Sequence, residues 1–200
     1  MELNIVALYA VVPKESQIVS SHFKKDTSNH KSITHHRVQK SEDYMKIYMA
    51  SSWKNADEVQ EIANYLRQKG HEVDDFTDDS RGRYVFFFKD LPDYENLNAI
   101  TLLEHEPAKR AFVEDRSFIE WADVILLLLP CGRSAHLEAG YAKGLGKKLI
   151  IYQPSFQKGE FDVMYGFADL ITDDFNSVMD FLKKEQLGKN IKEKRETCFA

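Results

Sequence analysis

Cysteine is almost absent: the 200-residue chain holds two, Cys131 and Cys198, in unlike settings. A disulfide framework needs more of them, and no zinc-ligand spacing occurs. The pattern suits a reducing compartment, and the expectation is a cytoplasmic protein. A basic excess is also missing. Net charge is −5, with the acids spread along the chain, whereas nucleic-acid binders usually carry a basic face. Nucleic acid is therefore not an expected partner, although a small anionic ligand held by local donors fits the balance. The run LNIVALYAVV at 3–12 is too short to span a bilayer. It has no basic flank and no small-residue cleavage site, so it makes a poor signal peptide, and no membrane partner is expected. There are no internal repeats.

What the chain does contain is an ordinary globular balance. Apolar residues make 43% and charged residues 30%, which argues against wholesale disorder. Residues 13–44 depart from it: they are polar, rich in Ser, His and Lys, and without period 2 or 3.6. His30, His35 and His36 have no carboxylate or cysteine partner at metal-ligand spacing. Residues 1–44 are accordingly expected to be a weakly ordered extension upstream of the natural start. Finding Met1 at the terminus of natively expressed protein would contradict that.

From Met45 a regular rhythm begins, and 45–187 reads as one α/β domain. MKIYMA (45–50) is a short apolar run ending in small residues, as a buried parallel strand does. A helix follows, with apolar residues at 59, 62, 63 and 66 on one face. Asn55 with Glu58 fits a capping box, and Gly70 fits the stop. HEVDDF (71–76) predicts a weaker strand. Residues 77–105 read as irregular, with RYVFFF as an edge strand or the packing of a lid. A helix over 108–121 leads to DVILLLLP, the clearest central strand. A loop and helix to Gly144, the strand KKLIIYQ, a short strand near ADLITD and a last helix FNSVMDFLKKEQ complete the domain. A mixed-charge, frayed tail is expected over 188–200. Strands alternating with helices predict a doubly wound parallel sheet of about five strands with helices on both faces.

Such sheets bind ligands beyond the carboxyl ends of their strands, which singles out the loops ASSWKN, PCGRSA and QPSFQKGEFDVMYG. Glu138 follows PCGRSA in a helix of small residues. With Ser134 as the cap it lies four residues on, one too many for a capping box. It is either an acid favoured by the helix dipole, worth roughly 0.3–1 kcal/mol, or a functional carboxylate, because an idle one in a tightly packed helix is costly. Asp115 has the same two readings: one more solvated acid beside Glu114 and Glu120, or a site residue.

KIYMASSWK together with DRSFIEWADVILLLLPCGRSAHLEAGYAKGLGKKLIIY resembles the nucleoside 2-deoxyribosyltransferase superfamily, which includes the deoxynucleoside 5′-monophosphate N-glycosidases. The similarity covers roughly residues 45–185. It implies a flavodoxin-like fold and cleavage of the N-glycosidic bond of a nucleoside or nucleotide, by hydrolysis or by transfer to another base. No organic cofactor or metal is implied. Carried over, Glu138 matches the nucleophile and Asp115 the aspartate that handles the proton of the base, eight positions before Asp123. Tyr48 matches the tyrosine that hydrogen-bonds the nucleophile, and Trp53 an aromatic near the ligand, with Ser51 and Ser52 beside it. Asp162 and Met164 match a segment that reaches a neighbouring subunit's pocket, which implies a homo-oligomer. One departure stands out. Six residues before the nucleophile, nucleoside-specific members carry aspartate and nucleotide-specific members serine, but here Gly132 precedes Arg133 and Ser134. Backbone N–H groups, a hydroxyl and a cation at a helix N-terminus favour a 5′-phosphate; a merely solvated Arg133 is the alternative. Two other classes fit the same residues: a TIR-type domain that cleaves NAD, and a nucleotide-binding module without turnover.

Overall fold

The computed structural model describes residues 44–78, 82–155 and 158–197, with side chains to residue 191. The extension expected over 1–44, its histidines included, lies outside the described residues except for Tyr44. Five strands form one sheet: β1 Lys46–Ala50, β2 Glu72–Asp74, β3 Val124–Leu128, β4 Lys148–Tyr152 and β5 Leu170–Thr172. Their order is β2-β1-β3-β4-β5, and every pairing is parallel. Four helices connect or follow them: α1 Ala56–Gln68, α2 Glu106–Trp121, α3 Arg133–Gly144 and α4 Phe175–Thr197. The strand–helix alternation predicts this doubly wound parallel sheet, and the order 2-1-3-4-5 is flavodoxin-like.

Alternation along the strands divides the core. Ile47, Met49, Leu126, Leu128 and Ile150 face α1 and α4, packing on Val59, Ile62, Leu66, Val178 and Leu182. Tyr48, Ala50, Ile125, Leu127 and Ile151 face α2 and α3, where Ile119, Ala135, Ala139 and Ala142 meet them. All five residues of β3 are buried, which is why its run is apolar throughout rather than alternating. Each aliphatic side chain so buried stabilises the fold by roughly 1.5–3 kcal/mol. The small residues of α3 let that helix lie close to β3 and β4.

Order 2-1-3-4-5 reverses direction between β1 and β3, and there the exits of the two strands are stitched together. Ser51 Oγ donates to Leu128 O at 2.9 Å. Asn55 Nδ2 donates to Ser51 Oγ at 3.0 Å and to Pro130 O at 2.7 Å. These bonds correct one expectation: Asn55 stands at the N-cap of α1 but makes no side-chain cap bond. Its amide is used across the crevice instead, so the Asn55–Glu58 capping box does not form. Gly70 does end the helix, at φ +96°, where an L side chain is strained.

Three further differences concern segment ends. The cap of α3 is Gly132 rather than Ser134, so Glu138 stands six residues past the cap, in the second turn. Residues 82–105 are irregular as expected, but the edge-strand alternative for RYVFFF is not what forms; short 3-10 turns occur at Phe88–Asp90, Tyr94–Asn96 and Leu102–Glu104. Helix α4 runs to Thr197, well into the segment read as frayed. Lys189 Nζ reaches Asp123 Oδ2 at 2.8 Å and ties that extension to the start of β3. No described helix is long and apolar enough to cross a membrane.

Candidate active site

A cavity of about 310 Å³ opens at the β1–β3 switch point, lined by residues from three strand exits and two helices. It lies at the lower end of the range for small-molecule sites, roughly 300–1,000 Å³. Tyr48 enters it from β1, and Ser51, Ser52 and Trp53 from the loop that follows. Gly132, Ser134 and Glu138 come from the N-terminal turns of α3, and Asp115 from α2. Eight of the eleven sequence-assigned residues therefore meet in one place.

The other three do not. Arg133, Asp162 and Met164 line a separate, mostly apolar groove of about 590 Å³ on the far side of α3. Helical geometry explains Arg133: it shares a face with His136, Leu137 and Gly140, three, four and seven residues on, while Ser134 shares one with Glu138. The arginine expected to face a ligand phosphate beside Ser134 thus points away from the cavity. Asp162 uses its carboxylate locally, accepting from Met164 N at 2.8 Å as the cap of a 3-10 turn.

The remaining wall comes from the segment that reads as irregular. Arg83, Tyr84, Val85, Phe86 and Phe88 line the cavity, with Phe76 and Ala111. The segment is held on α2: Tyr84 N donates to Glu114 Oε1 at 2.6 Å, and Arg110 lies 4.1 Å from the Tyr84 ring. Trp53 packs between Phe76 and Phe87, with ring centroids 4.9 and 5.0 Å away. This gives the cavity an aromatic wall beside its polar residues. No motif in the sequence marked these residues; their only signal was the density of aromatics.

Charge in the cavity is unusually arranged. Burial above all, and then the neighbouring Asp115, pushes the Glu138 carboxyl up to about 7. A hydrogen bond from Tyr48 and the Arg83 guanidinium pull it the other way. Burial also raises Asp115, again against Arg83, and lifts Asp74 to about 6. The Tyr48 phenol stays protonated, held well above its usual range by burial and by Glu138. Near neutral pH this cluster therefore keeps a proton that solvated carboxylates would have lost. By contrast Cys131, in the loop after β3, is pushed up to about 12 by burial and nearby acids. It is a poor nucleophile.

No protein-family profile matches the chain, and no curated protein matches it. Among solved structures it is similar to a 2-deoxyribosyltransferase from the psychrotolerant bacterium Bacillus psychrosaccharolyticus, at 22% identity and a TM-score of 0.46. That likeness covers 66% of this chain and 88% of the other. It is also similar to the Clostridium botulinum CMP N-glycosidase BcmB, at 16% identity and a TM-score of 0.40, over 69% of this chain and 96% of that one. At these levels neither likeness assigns an activity to this chain.

Proposed function

We propose that the cavity cleaves the N-glycosidic bond of a (deoxy)nucleoside or its 5′-monophosphate, with Glu138 as nucleophile. One observation carries the reading: Glu138, Asp115 and Tyr48, from three different elements, converge in a single cavity at the switch point. All three were assigned by the resemblance to the nucleoside 2-deoxyribosyltransferase superfamily; the residues alone left Glu138 and Asp115 open between a structural and a functional reading.

The chemistry follows from the placement of charge. As the C1′–N bond breaks, its electron pair leaves on the base nitrogen and positive charge develops on the sugar. Ionised Glu138 meets that charge and bonds to C1′. Tyr48 donates to the same carboxylate and holds its orientation. Asp115, raised by burial, supplies the proton that the departing nitrogen takes up. Water then bonds to C1′, loses a proton to Asp115 and releases Glu138 as carboxylate. A second base in place of water gives transfer instead of hydrolysis.

Trp53, Phe76 and Phe86 present aromatic surface to the flat base. Ser51, Ser52, Ser134 and the amides at the start of α3 face the sugar and any 5′-phosphate. The twelve-residue α3 offers its N-terminus to that anion. Because Arg133 points elsewhere, hydroxyls and N–H groups of this loop hold the phosphate rather than the Arg133 guanidinium. Across α3, Phe161 and Val163 are 80% and 94% exposed beside the groove that holds Met164. We read this apolar patch as the contact with a second copy of the chain, which a mass measurement in solution tests.

The deciding experiment is base release. Wild-type protein and Glu138→Gln are incubated with deoxynucleosides, their 5′-monophosphates, ribonucleotides and NAD, with and without an acceptor base, and free bases are separated by chromatography. Release from a deoxynucleoside or deoxynucleotide, lost in the variant, supports the reading. Nicotinamide release alone moves the assignment to NAD cleavage. No release from any of them removes it.

A further inference from the structure

Arg83 is the least solvated cation near the cavity and the one best tied down. Its side chain is 4% exposed, yet it belongs to a segment without regular structure. One guanidinium nitrogen, Nη1, donates to Asp74 Oδ2 at 2.7 Å; the other, Nη2, donates to Asp115 Oδ1 at 2.6 Å. The guanidinium carbon lies 4.9 Å from the Phe118 ring centre and 5.8 Å from that of Tyr48. The fork thus touches the end of β2, the middle of β1 and the inner face of α2 at once.

We infer that Arg83 is a positioning residue: braced from behind by Asp74, it fixes Asp115 by one oxygen and leaves the other free for the base. This rests on the glycosidic reading above. Three features of the arrangement support it. Asp115 projects from α2 into the cavity with its side chain 41% exposed, and the bond from Arg83 Nη2 holds one of its oxygens. Asp74 is placed where it binds Arg83 but not the cavity: it lines a second opening of about 330 Å³ behind the arginine, whereas Arg83 lines both. Finally, a lysine cannot reproduce the bridge, because its ammonium is a point charge and the two acceptors need a planar fork.

Charged and titratable groups surround Arg83 from every packed element. Tyr48 faces it from β1 and Asp74 from β2, with Glu72, Asp75 and Asp78 around the rear opening. Asp115 and the neighbouring Glu114 lie on α2, and Glu138 on α3. From α1, Arg67 pairs with Asp75, whereas Asp74, Asp115 and Glu138 are lowered by Arg83; removing its guanidinium therefore makes these three carboxyls hold their protons to higher pH. Removing Asp74 does the reverse, because Arg83 is then shared by fewer acids.

The test combines rate, pH profile and a direct titration of Asp115 by carbon NMR, on the full chain. Arg83→Met is expected to lose turnover on the order of a hundredfold with KM little changed, the scale set by a misplaced catalytic group. Its pH–rate profile is expected to move up by roughly one unit. Asp74→Asn moves the profile down, and Arg83→Lys keeps its position while losing rate. The Asp115 carboxyl resonance is expected to follow the same directions. Should Arg83→Met fail to fold, Asp74→Asn and Arg83→Lys still decide. An unmoved profile in the first together with a wild-type rate in the second overturns the inference. If the wild-type protein releases no base, the glycosidic reading fails by itself. The NMR titration then judges Arg83 alone, and an Asp115 resonance indifferent to Asp74→Asn removes it.

Discussion

The two edges of the sheet treat carboxylates in opposite ways. At the amino edge, Asp169 accepts from Leu149 N and Lys143 Nζ, both at 2.8 Å, with Lys148 at 3.5 Å. Burial raises its carboxyl, but these bonds outweigh burial and leave it below its usual range. Asp123 is placed alike, accepting from Lys46 N at 3.0 Å and Lys189 at 2.8 Å. Both acids sit just before a strand and pin it to its neighbour. At the carboxyl edge, Glu138, Asp115 and Asp74 have one guanidinium and one phenol among them, and all three are raised. Asp169, which holds the fold, is given donors enough to keep its carboxyl low. The crevice acids are left short of them, which costs stability and keeps a proton in reserve.

That contrast can be broken most forcefully at Glu138. Glu138→Gln is expected to lower base release by at least roughly a thousandfold while the protein stays folded, as judged by circular dichroism. Asp115→Asn should cost on the order of 10²–10⁴ in turnover, with the larger deficits on poorer leaving bases, which need the proton most. At the opposite edge, Asp169→Ala should leave turnover untouched but lower the unfolding free energy by about 2 kcal/mol, the scale of hydrogen bonds to a charged group. A crevice acid that proved dispensable for rate, or an amino-edge acid that proved essential, would erase the distinction.

A smaller effect sharpens it through pH. Glu138 ordinarily titrates near 4.5 and here near 7, so between those values the folded protein binds more protons than the unfolded chain. Its contribution is fully favourable below about pH 4.5 and is lost as pH rises through 7. Glu138→Gln, neutral throughout, should therefore melt above the wild type at pH 8, with the gap closing below pH 5. The ceiling is about 3 kcal/mol, and screening of a half-buried side chain makes the observed gap smaller. Thermal melts at the two pH values measure it. Asp169, shifted downward, has the opposite sign: its contribution is present above its unfolded value and is lost as pH falls.

How much of this was legible in the chain depended on distance. β3 could be read alone, because five consecutive buried residues leave an apolar run. Glu138 and Asp115 had two readings each on the residues alone and were assigned by the family resemblance, and their environment was not legible. Arg83 was illegible. Its partners lie nine and thirty-two residues away, in a segment whose conformation comes from contacts with α2 rather than from any period. Arg133 misled for a local reason: adjacent residues on a helix face different directions, so sharing a loop with Gly132 and Ser134 did not mean sharing their cavity. Asn55 looked like a cap because the capping signature cannot register a bond to Pro130 across the crevice.

The most direct test of Glu138 as nucleophile is to catch the sugar on it. Protein turning over a 2′-deoxy-2′-fluoro nucleoside or its 5′-monophosphate, whose fluorine slows breakdown of a glycosyl intermediate, would be quenched and weighed, then digested. The expected result is a mass gain of one fluorodeoxyribosyl group, with its 5′-phosphate when the monophosphate is the probe, on the peptide carrying Glu138, absent from Glu138→Gln. A label on another residue, or equal labelling of the variant, would contradict the central role assigned to this carboxylate.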